Sequence, residues 1–253
     1  MNASEYANLA AVEGGHWYYA GKRELVRGWI ERVRPPRSAD VLLDCGAGTG
    51  AFARAMEASC RVLVLDDHEE ALRLLRQRFR PEQILSLAGD QVPLPDGSLD
   101  YVTALDVLEH VSDDAAVVRG FHRLLKPGGL AVVTVPAGMA LWSDWDEALH
   151  HCRRYSRRQL RALFPAAHWE LVHANYTNVI AYPAVWLVRK WRRRPGAAAG
   201  PRAEDRVPAP WLNRLLQRIF VATGRCRIPF PFGVSLLLVA RRRSPSDSVL
   251  RAP

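Results

Sequence analysis

A buried strand that runs directly into a glycine-rich turn constrains this chain more than any other feature. Residues 41–43 are Val-Leu-Leu, and Asp44 closes the run before glycines stand at alternate positions, Gly46, Gly48 and Gly50. Apolar runs of this kind are typical of parallel strands buried on both faces. Glycines let the backbone approach a ligand, and the helix that starts near Gly50 offers free N–H groups. The stretch predicts an α/β fold with a nucleotide-type site, although similar turns occur in α/β proteins without one.

Four further apolar runs follow at the spacing of alternating strands and helices. They cover residues 61–65, 84–88, 99–105 and 130–135. The second strand ends in Asp66, the third in Gly89-Asp90 and the fourth in Asp106. An acid at the tip of a second strand can accept hydrogen bonds from both hydroxyls of a ribose. The sequence therefore predicts that several acids converge at the carboxyl edge of one sheet.

In order and spacing, these segments resemble the class I S-adenosylmethionine (SAM)-dependent methyltransferases across residues 38–136. The shared motifs are the Asp-x-Gly-x-Gly-x-Gly turn, the acid after strand two, Gly-Asp after strand three, Leu-Glu-His-Val at 108–111 and Leu-Lys-Pro-Gly-Gly at 125–129. The resemblance implies a Rossmann-like, mostly parallel sheet of seven strands in the order 3-2-1-4-5-7-6, with helices on both faces. We expect strand six at residues 169–176 and strand seven at 233–241.

The same resemblance implies where SAM binds. Asp44 would lie near the amino group of SAM, Asp66 at the ribose, Asp90 at the adenine amine and Asp106 near the methyl donor. The complete predicted cofactor set is Asp44, Gly46, Gly48, Gly50, Asp66, Asp67, Asp90, Gln91, Leu105 and Asp106. No metal is expected, because the four cysteines are scattered without C-x-x-C spacing and are expected to be reduced thiols.

An aromatic N-terminal stretch precedes the core. Residues 5–33 have a helical pattern, and many bacterial members of the family carry a similar Glu-x-x-His-Trp-Trp-Phe-x-x-Arg-Arg segment. This chain matches it at Glu13, His16, Trp17 and Arg23, with Tyr18, Tyr19 and Lys22 at varied positions. Residues 1–36 are therefore interpreted as a helical cap in which Trp17 and Tyr18 cover SAM or substrate. The alternative is that these rings only dock the helix on the core.

A polar loop after strand five is expected to contact the substrate, because ligands of open α/β sheets bind at the carboxyl ends of strands. Relatives often show an Asp-x-x-x-x-His-x-Arg-Arg-Tyr pattern here, which Asp146, His151, Arg153, Arg154 and Tyr155 match. We interpret His151, Tyr155 and the more distant His16 as candidate catalytic residues that orient or deprotonate the acceptor. The candidate substrate residues are Trp17, Tyr18, Trp142, Arg153 and Arg154. The two arginines could instead be structural partners of Asp144 or Asp146.

The methyltransferase domain is predicted to span residues 37–243 and to contain an insertion, residues 179–228, between strands six and seven. Between residues 187 and 243 the chain carries fourteen Lys or Arg and two acids, a charge of +12, whereas the rest carries −3. Apolar helices with Trp and Arg flanks suit an anionic lipid surface, so residues 179–220 are a candidate for peripheral membrane contact. A substrate lid and an ordinary packed hairpin are the alternatives. Residues 244–253 are expected to be a disordered tail.

The 253 residues are enough for one well-buried domain, and no apolar run of eighteen residues or signal peptide is found. We expect a cytoplasmic enzyme, with an inner-membrane contact as one option. The predicted function is methyl transfer from SAM to a small or lipid-like, hydrophobic acceptor. An acceptor that also carries an acidic or phosphate group is one form of this prediction.

The basic region raises a nucleic-acid methyltransferase as the second hypothesis. Asp106-Val107-Leu108-Glu109 stands where amino-methylating nucleic-acid enzymes usually carry Asn/Asp-Pro-Pro-Tyr, which argues against nucleic acid as a partner. The acceptor atom and the oligomeric state do not follow from the sequence.

Overall fold

The strands and helices alternate as the sequence predicts. The computed structural model describes residues 3–89, 91–192 and 206–244. Its strands are β1 (Val41–Cys45), β2 (Arg61–Leu65), β3 (Ile84–Leu85), β4 (Leu99–Leu105), β5 (Leu125–Pro136), β6 (Trp169–Thr177) and β7 (Ser235–Arg242). Its helices are α1 (Ala3–Val12), α2 (Trp17–Val33), α3 (Ala51–Met56), α4 (Glu69–Arg78), α5 (Asp114–Leu124), α6 (Asp144–Ala148), α7 (Arg157–Ala162), α8 (Tyr182–Arg192) and α9 (Pro210–Arg225). Short 3₁₀ turns cover Pro81–Gln83, Leu108–His110 and Met139–Leu141.

One sheet orders the described strands as β3-β2-β1-β4-β5-β7-β6. The pairs among β1 to β5 are parallel, and β7 runs antiparallel to both β5 and β6. This confirms the predicted Rossmann-like fold and strand order. It also brings the carboxyl ends of β1, β2, β4 and β5 to one edge, which is where the predicted strand-tip acids stand.

Apolar helix faces cover both sides of the sheet. On one side, α5 and α7 bury Phe121 and Leu160 against the strands. On the other side, α2, α3 and α9 bury Trp29, Met56 and Phe220. The N-terminal cap is thus continuous with the core, since α2 places a row of fully buried side chains against the sheet.

Three local predictions differ from the structure. The helix expected over residues 5–33 is broken before α2, where the His16 side chain accepts a hydrogen bond from the Tyr18 N–H at 3.2 Å and caps the second helix. β3 is shorter than residues 84–88 because Gly89, with φ of +63°, turns the chain and Ala88 pairs with Gln91 instead. β5 begins at Leu125 rather than residue 130, because Leu125 pairs with Leu99.

The insertion between β6 and β7 contains α8 and α9, as predicted. α9 packs along α2, where Trp29 Nε1 donates to the Gly224 carbonyl at 3.1 Å. The Asn213 side chain accepts from the Trp17 N–H at 2.8 Å and donates to the Gly15 carbonyl at 2.8 Å. In the described part of the chain, no helix is both long and apolar enough to cross a bilayer. Residues 193–205 and the predicted tail from 245 onward lie outside the described residues.

Candidate active site

A cavity of about 1300 Å³ opens at the carboxyl edge of the sheet. Asp44, Asp66 and Asp106 line it at the tips of three neighbouring strands, and residues of α1, α2 and α8 complete its walls. The cavity is larger than the roughly 300–1,000 Å³ of a typical small-molecule pocket. Its size is therefore sufficient for a cofactor together with a second ligand.

The glycine turn after β1 requires glycine for two different reasons. Gly46, Gly48 and Gly50 all have positive φ, at +66°, +57° and +77°. A Cβ on Gly46 would come within 2.4 Å of a Val107 methyl, and one on Gly50 within 2.4 Å of the Phe79 ring. A Cβ on Gly48 would meet nothing within 4 Å, and this residue lines the cavity, whereas Gly50 does not. The turn therefore leaves open space for a ligand against its backbone at Gly48.

The N-terminal segment contacts the glycine turn and holds it in place. Glu13 is buried, and its carboxylate accepts from the Thr49 hydroxyl at 2.5 Å and from Arg78 at 3.3 Å. Arg78 also donates to the Thr49 carbonyl at 2.6 Å. The matched acid of the aromatic stretch thus ties the cap to the turn, a contact that sequence reasoning did not assign.

The acids on β1 and β2 lie in a region that disfavours charge. Asp44 accepts from the Thr103 hydroxyl at 2.6 Å, and burial raises the pKa of Asp44 to about 7 despite that hydrogen bond. Burial also raises the pKa of Asp66, although its carboxylate accepts from the backbone N–H groups of Gly48 at 2.8 Å and His68 at 3.0 Å. A cationic or hydroxyl-bearing ligand at this position would therefore gain strong partners.

Asp106 is held in its ionised form by a half-buried lysine. Burial alone would raise the pKa of Asp106, but Lys22 at 2.5 Å and the Thr134 hydroxyl at 2.9 Å outweigh burial and lower it. Asp106 also has φ of +59°, an unusual backbone for a residue other than glycine. The Lys22 ammonium lies 5.2 Å from the centre of the Tyr18 ring. Lys22 thus links the aromatic stretch to the tip of β4.

A histidine and a buried glutamate face the same part of the cavity. The His151 Nδ1 atom lies 2.9 Å from Asp146 Oδ1. Burial alone would raise the pKa of Asp146, but the bond from His151 and the charges of Arg154 and Arg189 outweigh it and lower that pKa to about 2. Because an ionised carboxylate only accepts, Nδ1 carries the proton and Nε2 is the basic atom. Burial and the nearby Asp106 raise the pKa of Glu109 well above its usual range.

Most predicted cofactor residues line this one cavity. They are Asp44, Gly46, Gly48, Asp66, Asp67, Gln91, Leu105 and Asp106. Asp90 lies outside the described residues. The aromatic residues Trp17 and Tyr18 also line the cavity, and both rings pack edge-on against Phe220 of α9. The two interpretations of this stretch are therefore not exclusive, because the same rings dock the helix and face the cavity.

Several predicted acceptor contacts do not reach the cavity. Tyr155 is only 3% exposed, and its hydroxyl donates to Asp114 Oδ2 at 2.7 Å beneath the site. Arg153 donates to the same carboxylate at 2.9 Å. Trp142 is likewise absent from the lining, where Trp145 stands instead. None of these three residues lines the cavity, and the polar groups of Tyr155, Arg153 and Trp142 have partners within the protein.

His16 and Arg154 line the cavity, but both have structural partners. Arg154 donates to Asp146 at 2.7 Å and to the Ala137 carbonyl at 3.0 Å, which matches the structural alternative. His16 caps α2 through its side chain. Sequence reasoning missed Glu109 and Trp145 as cavity residues, although Glu109 stands inside the Leu-Glu-His-Val motif that it identified.

The residues present fit SAM. The open space at Gly48 admits a ligand against the backbone, Asp66 retains lone pairs for ribose hydroxyls, and Asp44 offers a carboxylate to an ammonium group. When bound there, SAM would supply an activated methyl group next to the tip of β4. This assignment of groups follows the family resemblance and is consistent with the cavity.

Comparisons with known proteins agree with this fold. The family described as "Methyltransferase domain" matches residues 18–174, more than half of the chain. A "Probable S-adenosylmethionine-dependent methyltransferase" of Mycolicibacterium smegmatis is 33% identical over 175 residues, which cover 68% of this chain and 66% of that protein. A protein with the same description from Mycobacterium tuberculosis is 29% identical over 152 residues, 59% of this chain and 53% of that protein.

More specific names occur among further relatives. A ubiquinone biosynthesis O-methyltransferase of Thiobacillus denitrificans is 36% identical over 107 residues, 40% of this chain and 46% of that protein. Among solved structures, a methyltransferase in complex with the Haloferax volcanii Trm112 activator superposes with a TM-score of 0.59 at 18% identity, covering 95% of both chains. This last likeness concerns the fold alone. The matched family and the sheet order together show that the chain belongs to the class I SAM-dependent methyltransferases.

Proposed function

We propose that this chain transfers the methyl group of SAM to a small or lipid-like, largely hydrophobic acceptor. The observation that carries the proposal is one large cavity, whose lining joins the glycine turn, Asp66 and Asp106 to an apolar region. That region is walled by Trp145, Ala184 and Val185. An apolar wall next to the methyl donor suits a hydrophobic acceptor and excludes water from the transfer.

The protein's own contribution is positioning and proton handling. Lys22 and Thr134 fix Asp106, and Asp146 fixes the ring of His151. We assign the acceptor-activating role to the cluster of Glu109, His110 and His151, because it faces the cavity beside Asp106. A group held within hydrogen-bond reach of the acceptor can remove its proton as the new bond forms. Tyr155 and the arginines are not part of this assignment.

The test is a transfer assay with SAM labelled in its methyl group. Purified protein would be offered hydroxylated aromatic and prenylated acceptors, fatty acyl acceptors and, separately, total RNA and DNA. We expect label in the apolar acceptors and at least about a tenfold loss in His151→Asn. Transfer to nucleic acid instead would overturn the proposal in favour of the nucleic-acid hypothesis.

A second proposal concerns residues 179–220, which we assign to contact with an anionic membrane from the cytoplasmic side. Helix α8 turns Ala184 and Val185 toward the cavity but leaves Leu187 and Trp191 63% and 54% exposed. Trp211, at the start of α9, is 66% exposed. Exposed Trp and Leu side chains beside a strongly basic sequence are suited to the interface of an anionic bilayer. A lipid-like acceptor would then reach the cavity along α8.

Vesicle sedimentation tests this contact. The protein should pellet with vesicles of phosphatidylglycerol and phosphatidylcholine but not with phosphatidylcholine alone. The double variant Leu187→Gln, Trp191→Gln should bind at least about tenfold more weakly, since it loses two inserting side chains. The control Gln77→Ala changes an exposed residue of α4 and should bind normally. Equal binding by all three proteins, or no binding by the unchanged protein, would refute the membrane contact.

A further inference from the structure

Three groups able to ligate a metal converge on the acceptor side of the cavity. Glu109 and His110 stand in the 3₁₀ turn after β4, and His151 comes from the loop before α7. One carboxylate oxygen and one nitrogen from each histidine lie within 4.8 Å of one another. The two imidazole rings meet nearly edge to face, with centres 4.7 Å apart. Two separate segments of the chain thus deliver an N, N, O donor set to one point.

The carboxylate of Glu109 lacks the partner that a buried acid requires. Its side chain is fully buried, and neither oxygen has a hydrogen-bond partner among the described residues. Burying such a group without a partner is strongly unfavourable in an apolar setting. Two cationic side chains whose charges act on Glu109 already have partners, because Lys22 pairs with Asp106 and Arg154 pairs with Asp146. The protein alone therefore leaves both Glu109 oxygens unsatisfied at the edge of the cavity.

The second histidine is oriented in the way that metal-binding histidines usually are. Asp146 is fully buried and accepts from His151 Nδ1 at 2.9 Å, so the ring presents Nε2. Metal-ligating histidines almost always donate their other ring N–H to a carboxylate or carbonyl in this manner. Asp146 is itself held by Arg154 at 2.7 Å and Arg189 at 3.4 Å. These contacts restrict the histidine to one orientation.

We propose that Glu109, His110 and His151 bind one divalent transition-metal ion, with Zn²⁺ as the best match. Two imidazoles favour Zn²⁺, Co²⁺ or Fe²⁺ over Mg²⁺ and Ca²⁺. A His₂Glu set with a further open position is a known form of catalytic zinc site. Bonds of roughly 2.0–2.2 Å would place the three ligand atoms about 3.3 Å apart. The side chains would therefore draw together on binding, and the open position would face the cavity.

The role of this ion in activating the acceptor rests on the proposed methyl transfer. With the ion bound, the three groups are ligands and activate the acceptor through the ion instead of as bases. A hydroxyl of the acceptor that binds the ion would have a lowered pKa and release its proton to water. The acceptor oxygen then forms the bond to the methyl carbon, the carbon–sulfur bond breaks with its electron pair moving to sulfur, and S-adenosylhomocysteine leaves. The site thus specifies a hydroxyl-bearing acceptor, which the cavity alone does not.

Titration of the untagged full chain with Co²⁺, followed by visible absorption, tests the site without SAM or acceptor. We expect one equivalent to give the d–d bands of a low-coordinate site, displaced by one equivalent of Zn²⁺. Glu109→Gln and His151→Asn should each weaken Co²⁺ binding by at least about tenfold. His150→Asn is the matched control, because His150 is exposed, lies next in sequence and has φ of +58°, which asparagine tolerates.

Calorimetric SAM binding serves as the check that each variant is folded. Normal Co²⁺ binding by all variants, or none by the unchanged protein, would overturn the metal site. Co²⁺ binding without SAM binding would leave the site standing and refute the proposed transfer. SAM binding without Co²⁺ binding would refute the metal site and leave the proposed methyl transfer standing. The two proposals therefore fail separately.

Discussion

The acids at the tips of β1, β2 and β4 share one cavity, yet their surroundings drive their pKa values in different directions. Burial dominates at Asp44 and Asp66 and raises both pKa values, whereas the Lys22 ammonium reverses the effect at Asp106. Groups with separated pKa values in one cleft are characteristic of functional sites. Here the division follows position, since the two acids with raised pKa values adjoin the glycine turn and the acid with the lowered pKa stands at the tip of β4.

Asp44 should make SAM affinity depend on pH. With a pKa of about 7, Asp44 is mostly protonated at pH 5.5, and an ammonium group favours the ionised form. SAM affinity should therefore rise about tenfold between pH 5.5 and 7, and calorimetry at several pH values would measure it. Asp44→Asn should bind more weakly at pH 7 and show a flat profile. A steep profile that persists in this variant would contradict the assignment.

The raised pKa of Asp44 also makes the stability of the fold depend on pH. A carboxyl whose pKa is raised by folding binds its proton more tightly in the folded state than in the unfolded state. The contribution of Asp44 to the free energy of unfolding is therefore greatest below pH 4 and is lost as the pH rises toward 7. Bound SAM should offset this loss, because its ammonium compensates the buried carboxylate.

At the scale of elements, the close packing of α9 on α2 makes the insertion a part of the core. Gly224 stands where a Cβ would come within 2.4 Å of the Leu25 side chain, which is itself buried. Gln217 and Arg225 add polar contacts from α9 to Glu24 on α2. α9 thus holds the aromatic cap in place, while α8 contributes to the cavity wall.

Gly224→Ala should lower the free energy of unfolding by about 1–3 kcal/mol, because the added methyl group overpacks the contact with Leu25. Gly120→Ala is the matched control in α5, since a Cβ there meets nothing within 4 Å. This control should be neutral or stabilise by up to about 1 kcal/mol through helix propensity. Urea unfolding of both variants gives the comparison. A neutral Gly224→Ala would show that the two helices are not in close contact.

Strands and helices with strong local patterns could be predicted from the sequence. The roles of side chains whose partners are distant in sequence could not. β1, β2 and β4 follow from apolar runs that the sheet buries, and the capping box of Ser156 and Gln159 is a local signal for the start of α7. By contrast, Tyr155 looked like a reactive residue because its partner, Asp114, is far away in sequence. Glu109 was missed for the same reason, since only the fold brings His151 beside it.

At the scale of the whole molecule, the sheet of the family fold and the basic sequence lie in different parts of the chain. The cofactor side is built by β1, β2 and β4, whereas the strongly basic sequence belongs to the insertion and to β7. Family membership accounts for the strands of the cofactor side, because the matched region covers them and ends at residue 174, before the insertion. The basic insertion therefore lies outside the matched region, and a surface partner such as an anionic membrane is to be tested there.

SAM binding measured by calorimetry at pH 7.5 tests the central claim most directly. The unchanged protein should bind one equivalent of SAM. Asp66→Ala should bind about tenfold or more weakly, since unpaired ribose hydroxyls cost about 1–3 kcal/mol. The control Glu31→Ala removes an exposed acid of α2 that does not line the cavity, and it should match the unchanged protein. Unaltered affinity in Asp66→Ala would contradict the ribose assignment, and absence of SAM binding by the unchanged protein would contradict the account as a whole.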